Sequence, residues 1–144
     1  MKLTSTIISF AALFSVAYAQ TQPVRPNNFY DNYYTSLNDV ACSNGNNGLV
    51  TRGFTDFGSL PTFPNIGGVF AVGAWNSPDC GSCWELLYPV TGVTIYVTAI
   101  DTVYSGFDLS DQAVNTLTYG QAESPDFNFI DVEYSQVPAY MCGL

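Results

Sequence analysis

Two cysteines two residues apart, Cys80-Gly81-Ser82-Cys83, lie between the chain's two tryptophans, Trp75 and Trp84. The spacing allows two kinds of thiol chemistry. A Cys-x-x-Cys pair embedded in a βαβ pattern reads as a redox dithiol, whereas cysteines in an oxidising compartment read as structural bridges. No βαβ pattern surrounds this pair. The other two cysteines, Cys42 and Cys142, lie far off on either side, so the four suit two disulfides that draw distant segments onto one central loop. Counting alone allows three connectivities, and a Cys80–Cys83 bridge is disfavoured because so tight a loop is strained.

The remaining chemistry falls to carboxylates, amides and rings. The chain has no histidine, which excludes Ser-His-Asp and Cys-His nucleophiles, imidazole acid–base catalysis and histidine-bound zinc. Asp101 is the first candidate for a functional residue. It follows the apolar run Val97-Thr98-Ala99-Ile100, where a carboxylate would emerge at the end of a strand and accept hydrogen bonds from sugar hydroxyls. Its competing structural role is to accept backbone N–H groups in a turn. Asn76 is a second polar candidate, since an amide donates and accepts at once; the alternative is a side chain that fixes the loop. Trp75 offers a ring face for stacking on a pyranose, while Trp84, beside Cys83, suits the core. Replacing Asp101 by alanine is expected to weaken binding and leave thermal unfolding nearly unchanged. No calcium-loop spacing appears among the carboxylates, so neither a metal nor a cofactor is expected.

Composition narrows the setting. Lys2 precedes an apolar stretch from Ile7 to Val16, and Ala17-Tyr18-Ala19 gives the small-x-small pattern that signal peptidase cuts, here after Ala19. The stretch is too short to span a bilayer. A secreted chain of about 125 residues is expected, enough for one domain with a buried core. Losing Lys2 leaves Arg25 and Arg52 against twelve acids, ten net negative charges, which makes nucleic acid and anionic membrane poor partners. Charged residues make up only 10% of the chain and aromatic ones 15%. Neutral polar groups mixed with rings suit neutral ligands such as sugars.

The elements that must position these residues are mostly strands. Residues 20–28 are polar and contain two prolines, and read as a flexible N-terminal arm. Between dense turn signals, the β-prone runs at 33–40, 48–53, 69–75, 83–88, 93–100 and 127–137 read as strands. Ser110, Asp111 and Gly120 bracket one helix, with Ala113, Val114 and Leu117 on its apolar face. A short helical turn is expected at 57–60. Gly67 and Gly68 suit a tight turn or a close backbone approach. Many short strands with few helices imply a small closed or partly closed barrel.

Several motifs then match in order: Cys42-Ser43-Asn44-Gly45-Asn46-Asn47-Gly48-Leu49, Phe63-Pro64-Asn65-Ile66-Gly67-Gly68, Trp75 to Trp84, Ala99-Ile100-Asp101 and Cys142-Gly143-Leu144. Together they resemble the cerato-platanins, small secreted fungal proteins, over about residues 29–144. The resemblance implies a six-stranded double-ψ β-barrel of the kind shared with expansins, and disulfides Cys42–Cys80 and Cys83–Cys142. It implies binding of chitin oligomers, loosening of cellulosic material without clear hydrolysis, self-assembly at interfaces and, as an elicitor met by a plant receptor, provocation of plant defence responses, in a secreted or cell-wall setting. Asp101 matches the family's aspartate in a shallow polysaccharide groove. Asp108 departs from the usual asparagine and either alters ligand preference or joins Ser110 in capping the helix. Tyr104 is bulkier than the small residues common in its loop and either adds stacking area or obstructs the groove. A weak inverting endoglucanase built on Asp101 is an alternative, but the second carboxylate is not evident; Asp108, Asp131 and Asp56 are the candidates. A third reading is a surface-active protein whose Tyr30, Tyr33, Tyr34, Phe54, Phe57 and Phe63 form an adsorbing patch.

Overall fold

The longest strand carries the pattern from which the rest is built. In Val93–Thr102 (β4), Ile95 and Val97 are buried while Thr94 is exposed, the period-two alternation of a strand with one face on a core. It forms a hairpin with Cys83–Tyr88 (β3), the pairing running from Tyr88 opposite Val93 to Cys83 opposite Thr98. Gly92 closes the connecting loop at a φ of 74° and donates its N–H to the Tyr88 carbonyl at 2.8 Å. A left-handed residue there favours glycine.

Four more strands complete the sheet: Thr21–Pro26 (β1), Ile66–Val69 (β2), Phe107–Leu109 (β5) and Ile130–Val137 (β6). Their order, β1-β5-β2-β4-β3-β6, closes on itself when β6 pairs with β1. Closure removes the unpaired edges that a six-stranded open sheet would present. The pairs β1–β5 and β2–β4 run parallel and the others antiparallel. This is the mainly β closed barrel with six strands that the resemblance implies. The computed structural model describes residues 2–12 and 19–144. Met1 and 13–18, which hold part of the expected signal segment and its Ala17-Tyr18 cleavage residues, lie outside the described residues. Among those described, no helix is long and apolar enough to cross a membrane.

Among the described residues the one α-helix, Asp111–Thr118 (α1), starts and stops as its sequence signals. Ser110 Oγ accepts the Ala113 N–H at 3.0 Å. The next two amides, Asp111 and Gln112, are capped from a distant part of the chain by the Asp31 carboxylate at 3.0 and 3.1 Å. Burial, and then the neighbouring Asp31 charge, raise the Asp111 carboxyl above its ordinary value. Tyr119 and Gly120 end the helix in left-handed conformation.

Several expectations need correcting. The segment 20–28 is not a flexible arm, because six of its residues form barrel strand β1. Its prolines suggested a loop, but Pro23 pairs with β6 before the β5 ladder begins, and Pro26 is the last residue of the strand. Proline is tolerated at such positions. The expected strands at 33–40 and 48–53 are instead irregular. Asn32 Oδ1 accepts the Tyr34 N–H, and Ser36 Oγ caps a 3-10 turn at Leu37–Asp39; these local bonds compete with a ladder. Turns from Leu49 to Gly53 occupy the second segment. Of 69–75, only Val69 is in a strand. The short turn expected at 57–60 is present as a 3-10 turn at Phe57–Ser59.

Gly67 and Gly68 lie in β2, where the close approach is real. A Cβ on Gly67 would strike the Asp108 carbonyl oxygen of β5. Two disulfides then tie the long irregular segments to the barrel. Cys42–Cys80 links the segment before β2 to the loop before β3, and Cys83–Cys142 links β3 to a 3-10 turn at Ala139–Cys142. Cys80 and Cys83 belong to different bridges, and no cysteine is free, so the pair is not a redox dithiol. Each bridge closes a loop in the unfolded chain and typically contributes about 2–4 kcal/mol. Thiol reduction is therefore expected to lower the denaturant midpoint by several kcal/mol in free-energy terms. An unchanged midpoint in the reduced protein would contradict this role.

Candidate functional site

Strand register places four residues in one row across the outside of the barrel. Arg25 of β1 pairs with Asp108 of β5, Asp108 with Gly68 of β2, and Gly68 with Asp101 of β4. Residues in register on neighbouring strands point to the same face and repeat every 4.7–4.9 Å or so. The burial pattern fixes which face this is: Phe107 and Leu109 are buried on either side of Asp108, so Asp108 and its row point outward.

Tyr30 fills the gap that Gly68 leaves. Its ring packs against Phe29 and Phe57, and its hydroxyl lies 3.3 Å from where a Gly68 Cβ would sit. The hydroxyl donates to Asp101 Oδ2 at 3.1 Å. Asp101 Oδ1 accepts the backbone N–H groups of Ala41 at 3.0 Å and Thr102 at 2.9 Å. Burial, then the Asp101 charge and hydrogen bond, then the Asp108 charge, push the Tyr30 phenol well above its usual value of 10.0. At the other end of the row, Arg25 Nη1 lies 3.3 Å from Asp108 Oδ1 and also donates to the Ser105 carbonyl at 2.9 Å. Asp108 thus forms an ion pair and does not cap α1; the capping expected of it falls to Ser110 and Asp31.

Asn76 and Trp75 form a second group on a neighbouring loop. Asn76 adopts a φ of 60°, and its Oδ1 accepts the Asn47 N–H at 2.9 Å while its carbonyl accepts Asn47 Nδ2 at 3.0 Å. These bonds join the two loops that Cys42–Cys80 bridges. Trp75 is 60% exposed, yet its indole N–H is held by Asn44 Oδ1 at 2.7 Å, so its ring is fixed with area open to solvent. Trp84 is 5% exposed and stacks with Phe70, Phe107 and Tyr134, which settles its core role. Tyr104 is fully exposed just beyond β4. Of the residues singled out in sequence, the row unites Asp101 and Asp108; Asn76 and Trp75 stand apart with Asn44 and Asn47, and Tyr104 stands alone.

Sequence reasoning did not single out Arg25, Tyr30 or Gly68 as site residues. Arg25 appeared to lie in a loose arm, and only strand pairing brings it opposite Asp108. Tyr30 was grouped with exposed aromatic residues, but it is 4% exposed and Phe57 is fully buried. What survives of that patch is Tyr33 and Tyr34 with Phe63, whose rings meet edge to face at 5.1 and 5.4 Å.

The row is poorly arranged for acid–base work. Both Asp101 oxygens already accept hydrogen bonds, and Asp108 is engaged by a guanidinium. The other carboxylates considered as partners lie elsewhere: Asp56 caps the 3-10 turn at Phe57–Ser59 through Ser59 N, and Asp131 is exposed on β6 opposite Pro23. Among the described residues, no group of three or more His, Cys, Asp or Glu side chains is placed to hold a metal ion.

Fold and site together define a disulfide-linked six-stranded barrel with a half-buried polar row across its outer face. The chain belongs to the cerato-platanin family, whose model matches residues 23–144. It is 39% identical over 126 residues to the heat-stable 19 kDa antigen of Coccidioides immitis, covering 88% of this chain and 84% of that protein. It is 35% identical over 112 residues to cerato-platanin of Ceratocystis fimbriata f. sp. platani, covering 74% and 81%. Among solved structures, cerato-platanin 2 from M. perniciosa superposes with a TM-score of 0.81 at 43% identity, covering 87% of this chain and all of that one. The fungal elicitor cerato-platanin superposes with a TM-score of 0.70 at 31% identity, covering 83% and 95%.

The bonding of Asp101 changes what its removal should do. Replacing it by alanine leaves the Ala41 N–H and the buried Tyr30 hydroxyl without their acceptor, at a cost of at least about 2 kcal/mol. Denaturant unfolding checks this, and an unchanged midpoint would restore the expectation from sequence. Tyr30 adds a pH signature. A folded-state value raised above 10.0 gives stability that is complete below that pH and declines as the pH rises toward the folded value. Tyr30→Phe should be less stable than the parent by about 1–2 kcal/mol at neutral pH, with the gap narrowing in alkali. A gap that stays constant above pH 10 would contradict the assignment.

Proposed function

We propose that this chain is a secreted, non-catalytic carbohydrate-binding protein that takes chitin oligomers, and cellulose oligomers as a related ligand, along the Arg25–Asp108–Gly68–Asp101 row. The observation that carries the reading is that row itself. It places a guanidinium donor and one carboxylate on adjacent strands and a second carboxylate two strands further on, with a strand spacing close to the length of one ring in a β-1,4-linked chain. Charge-assisted bonds of this kind to sugar hydroxyls contribute about 1.5–3 kcal/mol each. Asp108 supplies a charged acceptor where the family resemblance leads one to expect an amide. The fixed Trp75 ring is a second contact for a longer oligomer, and Tyr104 an adjustable third.

Wall loosening follows from binding without bond cleavage: a protein that occupies the hydroxyls of one chain competes with the contacts between chains. An inverting hydrolase needs a free acid and a free base about 6.5–9.5 Å apart, and the commitments of Asp101 and Asp108 leave neither free. Names of relatives such as antigen and elicitor support a protein met outside the cell, including by a host. A surface-active role rests on a separate observation, the half-exposed Tyr33 and the largely exposed Tyr34 stacked beside Phe63. Adsorption to a hydrophobic slide that survives Tyr34→Ser would count against it.

The binding reading is tested by titrating isotope-labelled protein with N-acetylchitohexaose while following protein amides and sugar anomeric signals together. Amide shifts centred on Arg25, Gly68, Asp101 and Asp108, with the sugar intact, are expected. New reducing-end signals would make the protein a hydrolase, and an unshifted row would remove chitin as its ligand.

A further inference from the structure

On the sequence, signal cleavage after Ala19 makes Gln20 the first residue of the mature chain. An N-terminal glutamine can close into a five-membered lactam by attack of its own amine. The structure fixes Gln20 at two points. Its carbonyl accepts the Tyr134 N–H at 3.3 Å, extending the β1–β6 ladder by one residue. Its side-chain Oε1 accepts the Tyr134 hydroxyl at 3.2 Å. One residue of β6 thus fixes both the main chain and the side-chain amide of Gln20. Tyr134 is itself held by edge contacts to Phe70, Trp84 and Phe107, with ring centroids 5.6–6.1 Å away. Beside this point lies a surface cavity of about 190 Å³ lined by Ala19, Gln20, Glu85, Glu133, Tyr134 and Ser135, among others. Departure of Ala19 leaves the new amine at that cavity.

We propose that Gln20 is a modification site, converted in the folded barrel to N-terminal pyroglutamate with assistance from Tyr134. The Gln20 amine nitrogen adds to the side-chain Cδ, and the charge that forms on Oε1 is met by the Tyr134 hydroxyl already bonded there. The Cδ–Nε2 bond breaks, and the proton lost by the amine passes through solvent to Nε2, which leaves as ammonia. No redox partner is needed. Holding both ends of the reacting group removes rotational freedom that a free peptide must lose at the barrier. The lactam takes one positive charge from an already acidic protein and blocks the first strand of the barrel to aminopeptidases.

The inference rests on the cleavage reading, and intact mass of the secreted protein separates the two. A chain beginning at residue 20 and lighter by one ammonia is expected. A chain beginning elsewhere would overturn the proposal by removing its terminus. For the rate, protein released with a fresh Gln20 terminus is compared with a free peptide of residues 20–30 at the same pH. The folded chain is expected to cyclise about tenfold faster or more, a small part of what a placed acid–base group can supply. Tyr134→Phe should bring the rate back toward that of the peptide while circular dichroism shows the barrel intact. A folded parent that closes no faster than the peptide, or a folded Tyr134→Phe that keeps the parent's rate, would overturn it.

Discussion

The Asp101 carboxylate is the interaction on which the rest of this structure depends. A small barrel with a 39-residue excursion between β1 and β2, from 27 to 65, has few backbone bonds to fasten that excursion down, among them Cys42 N–H to the Ile100 carbonyl at 3.0 Å, so side chains must help hold it. Asp101 does this from the end of β4: one oxygen receives the Ala41 and Thr102 amides and the other receives the Tyr30 hydroxyl. Ala41 lies next to Cys42, so the same carboxylate sits one residue from the Cys42–Cys80 bridge. Buried donors left without acceptors are costly, which makes this one acid a structural hub as well as part of the polar row.

That double duty shapes function. Acids that bind flexible ligands well are usually held in place by other residues, because an oriented group loses less freedom on binding. Here the fastening comes from the scaffold itself. Gly68 removes a side chain from the centre of the row, Tyr30 occupies the space, and its hydroxyl ties Asp101 in one orientation. Arg25 does the same for Asp108 from the neighbouring strand. The aromatic cluster of Phe70, Trp84, Phe107 and Tyr134 packs elsewhere and leaves the row polar. The arrangement is compatible with the proposed binding of a neutral, hydroxyl-rich chain.

What the sequence made legible follows the strength of its local signals. Strands β3, β4 and β6 have strong β-branched and aromatic patterns and are found close to where the pattern puts them, and α1 lies within its cap and stop residues. Strands β1, β2 and β5 carry little such signal. β1 holds two prolines, β2 two glycines, and β5 has three residues, so only partners distant in sequence make them strands. The site was legible to the same degree. Asp101 and Asp108 were visible as unusual acids near a strand end and a turn, but the row that unites them is a property of register. Arg25 and Tyr30 are more than 70 positions from their partners, and no short-range pattern connects them. Tyr33 to Val40 shows the opposite failure, a β-prone run overruled by Asn32 and Ser36 bonding their own backbone.

The central claim, that Asp101 is the hub joining the irregular segment to the barrel, is tested most directly by amide hydrogen exchange at Ala41 and Thr102. In the parent protein both amides should exchange as slowly as those in the middle of β4. In Asp101→Ala they should open by local unfolding, with Ala41 exchanging faster by an order of magnitude or more, while the β3–β4 ladder stays protected. If Ala41 exchanges at the rate of an open loop in the parent, or keeps its protection without the carboxylate, the segment is held by something else and the account of Asp101 fails.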